Sequence, residues 1–333
     1  MHFRPQEIQS APKFIQLEQG ARNEPAIERP LTLVTKLKTI WWLREGAAEF
    51  FGTMMIIIFG VGSVAQVVLS DATKGDYQSI SWGWGIGVML GVYVSGGISG
   101  GHLNPAVTLT NVVYRKLPLK KLPVYMVAQT LGAFMGAAII YGNYRSAIQA
   151  FEGGDMRTVG LKTSTAGLFC TYPAEFMTRT GMFFSEFIAS AFLMFVIFAI
   201  GDPANNPAGD MGPLVLFFLI FGIGAGLGWE TGYAINFARD FGPRMFTYMA
   251  GYGTGVFSAG GYYFWIPMVA PFLGCLAGGG LYDLFLFSGE SPANSPYLGL
   301  RGERSNGQQD AERAHRVTSP VDRLRNDSEI TRS

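Results

Sequence analysis

The chain has 333 residues, of which 49% are hydrophobic and only 15% charged, and its formal net charge is +1. That balance excludes an electrostatic case for a nucleic-acid partner, and the crowding of charge at the two ends argues against a pair of soluble domains.

Residues 1–40 are polar, charged and proline-containing, with no apolar core of a cleavable signal peptide. They are expected to form a largely disordered cytoplasmic tail. Six runs then follow that are long and apolar enough to cross a hydrocarbon layer, which takes about 20 residues. They lie at about Phe50 to Leu69, Ile80 to Gly96, Leu122 to Tyr141, Met182 to Ile200, Gly212 to Trp229 and Gly261 to Phe287. They show almost none of the polar stripe of a soluble amphipathic helix, so a polytopic all-α membrane protein is predicted. Lys36, Lys38 and Arg44 before the first run, with Arg115, Lys116, Lys120 and Lys121 before the third, put the N-terminus on the cytoplasmic side; Arg145, Arg157, Lys162 and Arg179 weaken that bias. Residues 289–333 read as a second largely disordered cytoplasmic tail, with arginines for anionic lipid and Ser319 before Pro320 as a phosphate acceptor. Cys170 falls in a connection and Cys275 in the last run, so no disulfide between them is expected.

An internal repeat organises the middle. The first run opens Ala48-Glu49-Phe50-Phe51-Gly52-Thr53 and the fourth opens Ser185-Glu186-Phe187-Ile188-Ala189-Ser190. Each half, about 44–143 and 181–287, later carries a Gly-containing turn and an asparagine: Gly101-His102-Leu103-Asn104-Pro105-Ala106 and Gly232-Tyr233-Ala234-Ile235-Asn236-Phe237-Ala238. Three spans per half invert the second half relative to the first, and residues 144–180 become an extracellular connection. The segments Asn104 to Tyr114 and Asn236 to Phe246 are too short to span but begin like helices, with Asn as N-cap and Pro105 where its missing N–H costs nothing. Such half-helices are tolerated at membrane depth only against protein or a wet cavity, so both N-termini are expected to meet at a pore centre.

The two boxes Asn104-Pro105-Ala106 and Asn236-Phe237-Ala238, each behind its own glutamate-bearing helix start, resemble the paired Asn-Pro-Ala boxes of the aquaporin family over about residues 44–287. The second box, in which Asp240 follows Arg239, and Pro267-Met268 in the last run are similar to the aquaglyceroporin branch. The resemblance implies six transmembrane helices plus two re-entrant half-helices over residues 41–288, a homotetramer in the plasma membrane, and passage of glycerol, water and other small neutral solutes. By position it implies a constriction of Trp84, Gly224, Tyr233 and Arg239, with Asn104 and Asn236 at the centre. Arg239 and the two half-helix N-termini would repel cations and protons.

Duller readings stand beside these. Trp84 has a second reading as an interfacial anchor, the duller alternative to a constriction residue. Glu49 and Glu186 are either acceptors for turn N–H groups or proton-coupling carboxylates, and His102 either packs in its loop or binds a ligand, with no second metal ligand near it in the sequence. Phe237 departs from the family pattern: its ring either packs against Pro105 and neighbouring spans or shifts Asn236. A channel chiefly for urea or hydrogen peroxide, a proton-coupled transporter and a closed adhesive relative remain the alternatives. No cofactor, metal site or catalytic cluster is expected, and hence no enzyme.

Overall fold

A computed structural model describes residues 39–295. Every regular element among them is helical: α1 Trp41–Leu69, α2 Tyr77–Ser99, α3 Pro105–Tyr114, α4 Lys121–Glu152, α5 Arg179–Gly201, α6 Gly212–Leu227, α7 Phe237–Thr247, α8 Gly255–Tyr262 and α9 Ile266–Phe285. By length and composition five stretches are apolar enough to cross a membrane, namely Trp41–Leu69, Lys121–Glu152, Arg179–Gly201, Gly209–Leu227 and Gly255–Phe285. The sixth span is α2, 23 residues long, whose serines and glycines dilute its apolar character. Asp76 caps it by accepting from the Ser79 N–H while the Ser79 hydroxyl accepts from the Asp76 N–H, and Gly100, at φ 94°, stops it.

The two halves are interlocked. Helix α1 packs on α2 and α4, and α5 on α6 and α9, while each short helix crosses to the other half, α3 lying against α9 and α7 against α4. Lipid supplies no hydrophobic drive between helices, so association depends on close approach. A Cβ at Gly132 of α4 would fall 2.1 Å from the Phe50 carbonyl oxygen, and one at Gly274 of α9 would fall 2.3 Å from that of Phe187. Phe50 and Phe187 directly follow the repeated glutamates, so one backbone contact occurs twice, once per half.

Two boundaries differ from the sequence-based expectation. Helix α4 runs on to Glu152, well past Tyr141, because Ile148 is fully buried and the turn stops only at Gly153, at φ 75°; the connection therefore begins at 153 rather than 144. The last span starts at Ile266 rather than Gly261, since Gly260, Gly261 and Tyr262 all take positive φ and break the helix. Residues 291–295 form a turn against the end of α9, in which Asn294 Nδ2 donates to the carbonyls of Phe287 and Gly289. The remaining tail, including Ser319, and Lys36 and Lys38 lie outside the described residues.

Candidate functional site

The two re-entrant turns are built by the same rule. Asn104 has φ −152° and ψ 119° and its side-chain oxygen accepts from the Ala106 N–H; Asn236 has φ −156° and ψ 115° and accepts from the N–H groups of Ala238 and Arg239. Both are N-caps in extended conformation, and Pro105 fills the first helical position of α3. The residues just before them, Leu103 at φ 54° and Ile235 at φ 44°, sit in the left-handed region. For a β-branched side chain such as Ile235 that is a true outlier, held only because the surroundings over-determine it.

Those surroundings are the buried glutamates. Glu49 accepts from the N–H groups of His102 (3.0 Å) and Leu103 (2.7 Å), from Gln129 Nε2 (2.7 Å) and from the Ser99 hydroxyl. Glu186 accepts from Ala234 N–H (2.9 Å), Ile235 N–H (2.8 Å), the Thr231 hydroxyl (2.7 Å) and the Tyr263 hydroxyl (3.3 Å). Each carboxylate is fully buried and faces four donors, which is the complement an ionised carboxylate can accept. Both work as acceptors that pin the turns.

At the centre the turns are cross-tied. Asn104 Nδ2 donates to the Ile235 carbonyl and Asn236 Nδ2 to the Leu103 carbonyl, both at 2.8 Å. One N–H of each amide is spent across the two halves, which fixes the amide plane. The second N–H of each is left for the cavity that both asparagines line.

That cavity has a volume of about 340 Å³. It follows α2 from Trp84 past Val88 to Val92, a rise of about 12 Å, and α6 from Ile220 back to Gly212. Its lining mixes aliphatic side chains, among them Ile56, Leu193, Ile197 and Leu216, with the turns of residues 100–103 and 233–235 and the polar side chains of Asn104, Asn236 and Arg239. Trp84 is 4% exposed, so it faces this interior and is no surface anchor. The Arg239 guanidinium carbon lies 4.0 Å from the centroid of its ring. Stacking uses the face of the guanidinium, and among the described residues nothing accepts from its N–H groups. They are donors directed at the cavity.

Tyr233 lines the same end, at φ 37°, with its hydroxyl buried and unpartnered among the described residues. Gly224 stands behind it rather than among the lining residues: a Cβ there would lie 2.8 Å from Tyr233 Oη and 3.0 Å from Ser81 Oγ. His102 lines the cavity, packs edge-on against Tyr125 and pairs through Nδ1 with the Thr108 hydroxyl at 3.1 Å. Among the described residues no three His, Cys, Asp or Glu side chains cluster, and Cys170 and Cys275 are free and buried. The Phe237 ring is 5.1 Å from Phe241 and 6.0 Å from Phe272 of α9, outside the cavity lining, and Asn236 keeps the backbone conformation of Asn104.

Sequence reasoning gave Asp240 no partner. Its carboxylate takes two bonds from Arg244 (2.7 and 3.0 Å) and one from the Thr171 N–H (2.8 Å), and Arg244 also donates to the Thr171 and Val256 carbonyls. Both side chains are buried, so the pair clamps the 153–178 connection and α8 onto the helix that carries Arg239. The i, i+4 spacing of Asp240 and Arg244 was the available signal. Asp283, near the end of the last span, is likewise paired, with both of its oxygens bonded to Arg115.

An inverted repeat of helices closed around a central cavity defines a polytopic membrane protein with a solute path at the junction of its halves. The model of the major intrinsic protein family matches residues 36–282, and the chain belongs to that family. It is 61% identical over 298 residues to probable aquaglyceroporin-2 of Gibberella zeae, covering 87% of this chain and 88% of that one. It is 59% identical over 290 residues to aquaglyceroporin-9 of Botryotinia fuckeliana, covering 85% of this chain and 64% of that longer relative. The X-ray structure of the aquaglyceroporin from Plasmodium falciparum superposes with a TM-score of 0.66 at 33% identity, covering 73% of this chain and 96% of that one.

Proposed function

We propose that the chain is a passive channel that admits glycerol, water and other small uncharged solutes and excludes ions and protons, and that it is not an enzyme. The observation that carries this is the stacking of Arg239 on Trp84 in a cavity lined by aliphatic side chains and by the polar groups of the two turns. Glycerol has a carbon edge and a row of hydroxyls, so it needs one greasy wall and one wall of fixed donors and acceptors. Trp84 and Tyr233 offer the first, and Arg239 with the turn carbonyls offers the second. Gly224 contributes by leaving room for Tyr233.

Exclusion of charge rests on the same parts. Each half-helix N-terminus carries roughly half an elementary charge, and α3 and α7 bring two of them to the asparagines beside a buried arginine. The half-helix and arginine barrier is a general feature of aquaporin-type pores, applied here to named residues. A water that accepts from both asparagine amides has no lone pair left for its neighbour at that point, which breaks a proton wire.

The names of the relatives from Gibberella zeae and Botryotinia fuckeliana favour the glycerol-passing branch over a pore for water alone. The use of Glu49 and Glu186 as buried acceptors for the backbone N–H groups of the two turns favours a structural role for both over proton coupling. A homotetramer in the plasma membrane with both termini cytoplasmic completes the reading, on family resemblance and the charge flanking α1 and α4. Equilibration of labelled glycerol into proteoliposomes tests it: a channel brings inside and outside to the same concentration whatever the proton gradient, and accumulation driven by that gradient would refute it.

A further inference from the structure

The inverted repeat is unequal along its two short helices, and the inequality falls inside the cavity. Three residues past the box asparagine, α7 carries Arg239 and α3 carries Val107; seven residues past it, α7 carries Pro243 and α3 carries Asn111. Asn104, Val107 and Asn111 share one face of α3, and all three line the cavity. Beyond the asparagine pair, towards Gly201 and Gly212, the lining holds the aliphatic side chains Val92, Ile197, Ile200 and Leu216, with His102 and the turn of residues 100–103 leading back to Asn104. Asn111 adds an uncharged amide to that stretch, about 10 Å along the helix axis from Asn104.

Its amide is held but not used up. Asn111 Nδ2 donates one hydrogen to the Val107 carbonyl at 2.9 Å, one helical turn back. Among the described residues its second amide hydrogen and its Oδ1 have no partner, and Asn111 is only partly buried. The side chain therefore presents one donor and one acceptor, at fixed orientation and with no charge, to a passage also lined by the aliphatic side chains Val92, Ile197, Ile200 and Leu216.

We propose that Asn111 is a solute-binding station, the third after Arg239 and the asparagine pair, and that it selects for neutral solutes bearing adjacent hydroxyl groups. A polyol entering the aliphatic stretch gives up water from several hydroxyls at once, and every polar group left unpaired adds to its barrier. One amide that donates to one hydroxyl and accepts from the next lowers that barrier. Water, being smaller, keeps its hydrogen-bonded file and gains less. A charged side chain here would bind too tightly for release, which a conducting path cannot tolerate. This deepens the channel reading above and rests on it.

The test is glycerol and water permeability of proteoliposomes carrying the full chain, wild type beside Asn111→Leu and Asn111→Gln. Leu keeps the branched four-atom skeleton and removes the amide; glycerol permeability should fall about five-fold, the size of one net hydrogen bond, while water permeability stays within about two-fold. Gln keeps the amide and should retain most glycerol flux. If Asn111→Leu does not fold, Asn111→Ser replaces it, since a serine hydroxyl can bond back to the Val107 carbonyl but is too short to serve the passage; the same fall is expected. An unchanged glycerol-to-water ratio in the folded Leu or Ser protein overturns the station, and so does a Gln protein that loses as much as Leu. A wild-type protein impermeable to both solutes overturns the channel reading and the station with it.

Discussion

The guanidinium carbon of Arg239 sits 4.0 Å from the centroid of the Trp84 ring, with Trp84 4% and Arg239 7% exposed. Stacking fixes a buried cation through its face and leaves its edge free. Arg239→Lys preserves charge but loses the stack and the planar fork. Ion exclusion should therefore survive in Arg239→Lys while the glycerol-to-water ratio falls, and Arg239→Ala should lose both. Proton and solute permeabilities of the two variants check this, and an Ala variant with unchanged proton exclusion and solute ranking would remove Arg239 from the filter.

Gly224 and Tyr233 make a second linked pair. A Cβ at 224 would come within 2.8 Å of Tyr233 Oη, and an aromatic hydroxyl on a backbone at φ 37° has little freedom to yield. Gly224→His should push the Tyr233 ring into the passage and cut glycerol flux far more than water flux. Equal losses of both would mean that this corner does not set the narrow dimension.

Glu49 and Glu186 hold the strained turns, so neutral amides there should cost stability rather than alter transport coupling. In Glu49→Gln or Glu186→Gln a donor –NH₂ replaces one acceptor oxygen and meets backbone N–H or hydroxyl groups head-on. A loss of about 2 kcal/mol or more per site is expected from unsatisfied buried donors. Thermal unfolding in detergent measures it, and an unchanged midpoint in both variants would refute the anchoring role.

Phe237 occupies the first turn of α7 and packs towards Phe241 and Phe272 while Asn236 retains its cap. Phe237→Pro should give a folded channel whose stability changes by at most about 1 kcal/mol. Its glycerol-to-water ratio should move by less than about three-fold. A ten-fold change in that ratio would make Phe237 a selectivity element.

Much of this was legible in the sequence because it is carried by local or repeated signals. The six spans follow from hydropathy, and the inverted repeat from Glu49 and Glu186 and the paired boxes. The half-helices follow from Asn caps and Pro105. What escaped were features that depend on tertiary context. Positive φ at Leu103 and Ile235 contradicts the local preference of both residues and exists only because glutamates some fifty residues earlier accept the adjoining N–H groups. The position of Gly224 behind Tyr233, rather than in the wall, depends on how α2 and α6 pack. The extension of α4 to Glu152 rests on burial of Ile148, which the polar neighbours Asn143, Arg145 and Gln149 concealed. By contrast, Gly132 of α4, Gly274 of α9 and the Asp240–Arg244 spacing were visible in the sequence, but their partners, Phe50, Phe187 and Thr171, lie far off in the chain.

The most direct test of a neutral-solute path with a charge barrier is to record glycerol permeability and proton flux on the same proteoliposomes. Stopped-flow light scattering reports the first and a trapped pH-sensitive dye the second. The structure predicts glycerol permeability well above that of protein-free vesicles, with proton flux no higher than in those vesicles. Proton flux that rises together with glycerol permeability, or glycerol permeability no higher than in empty vesicles, would contradict it.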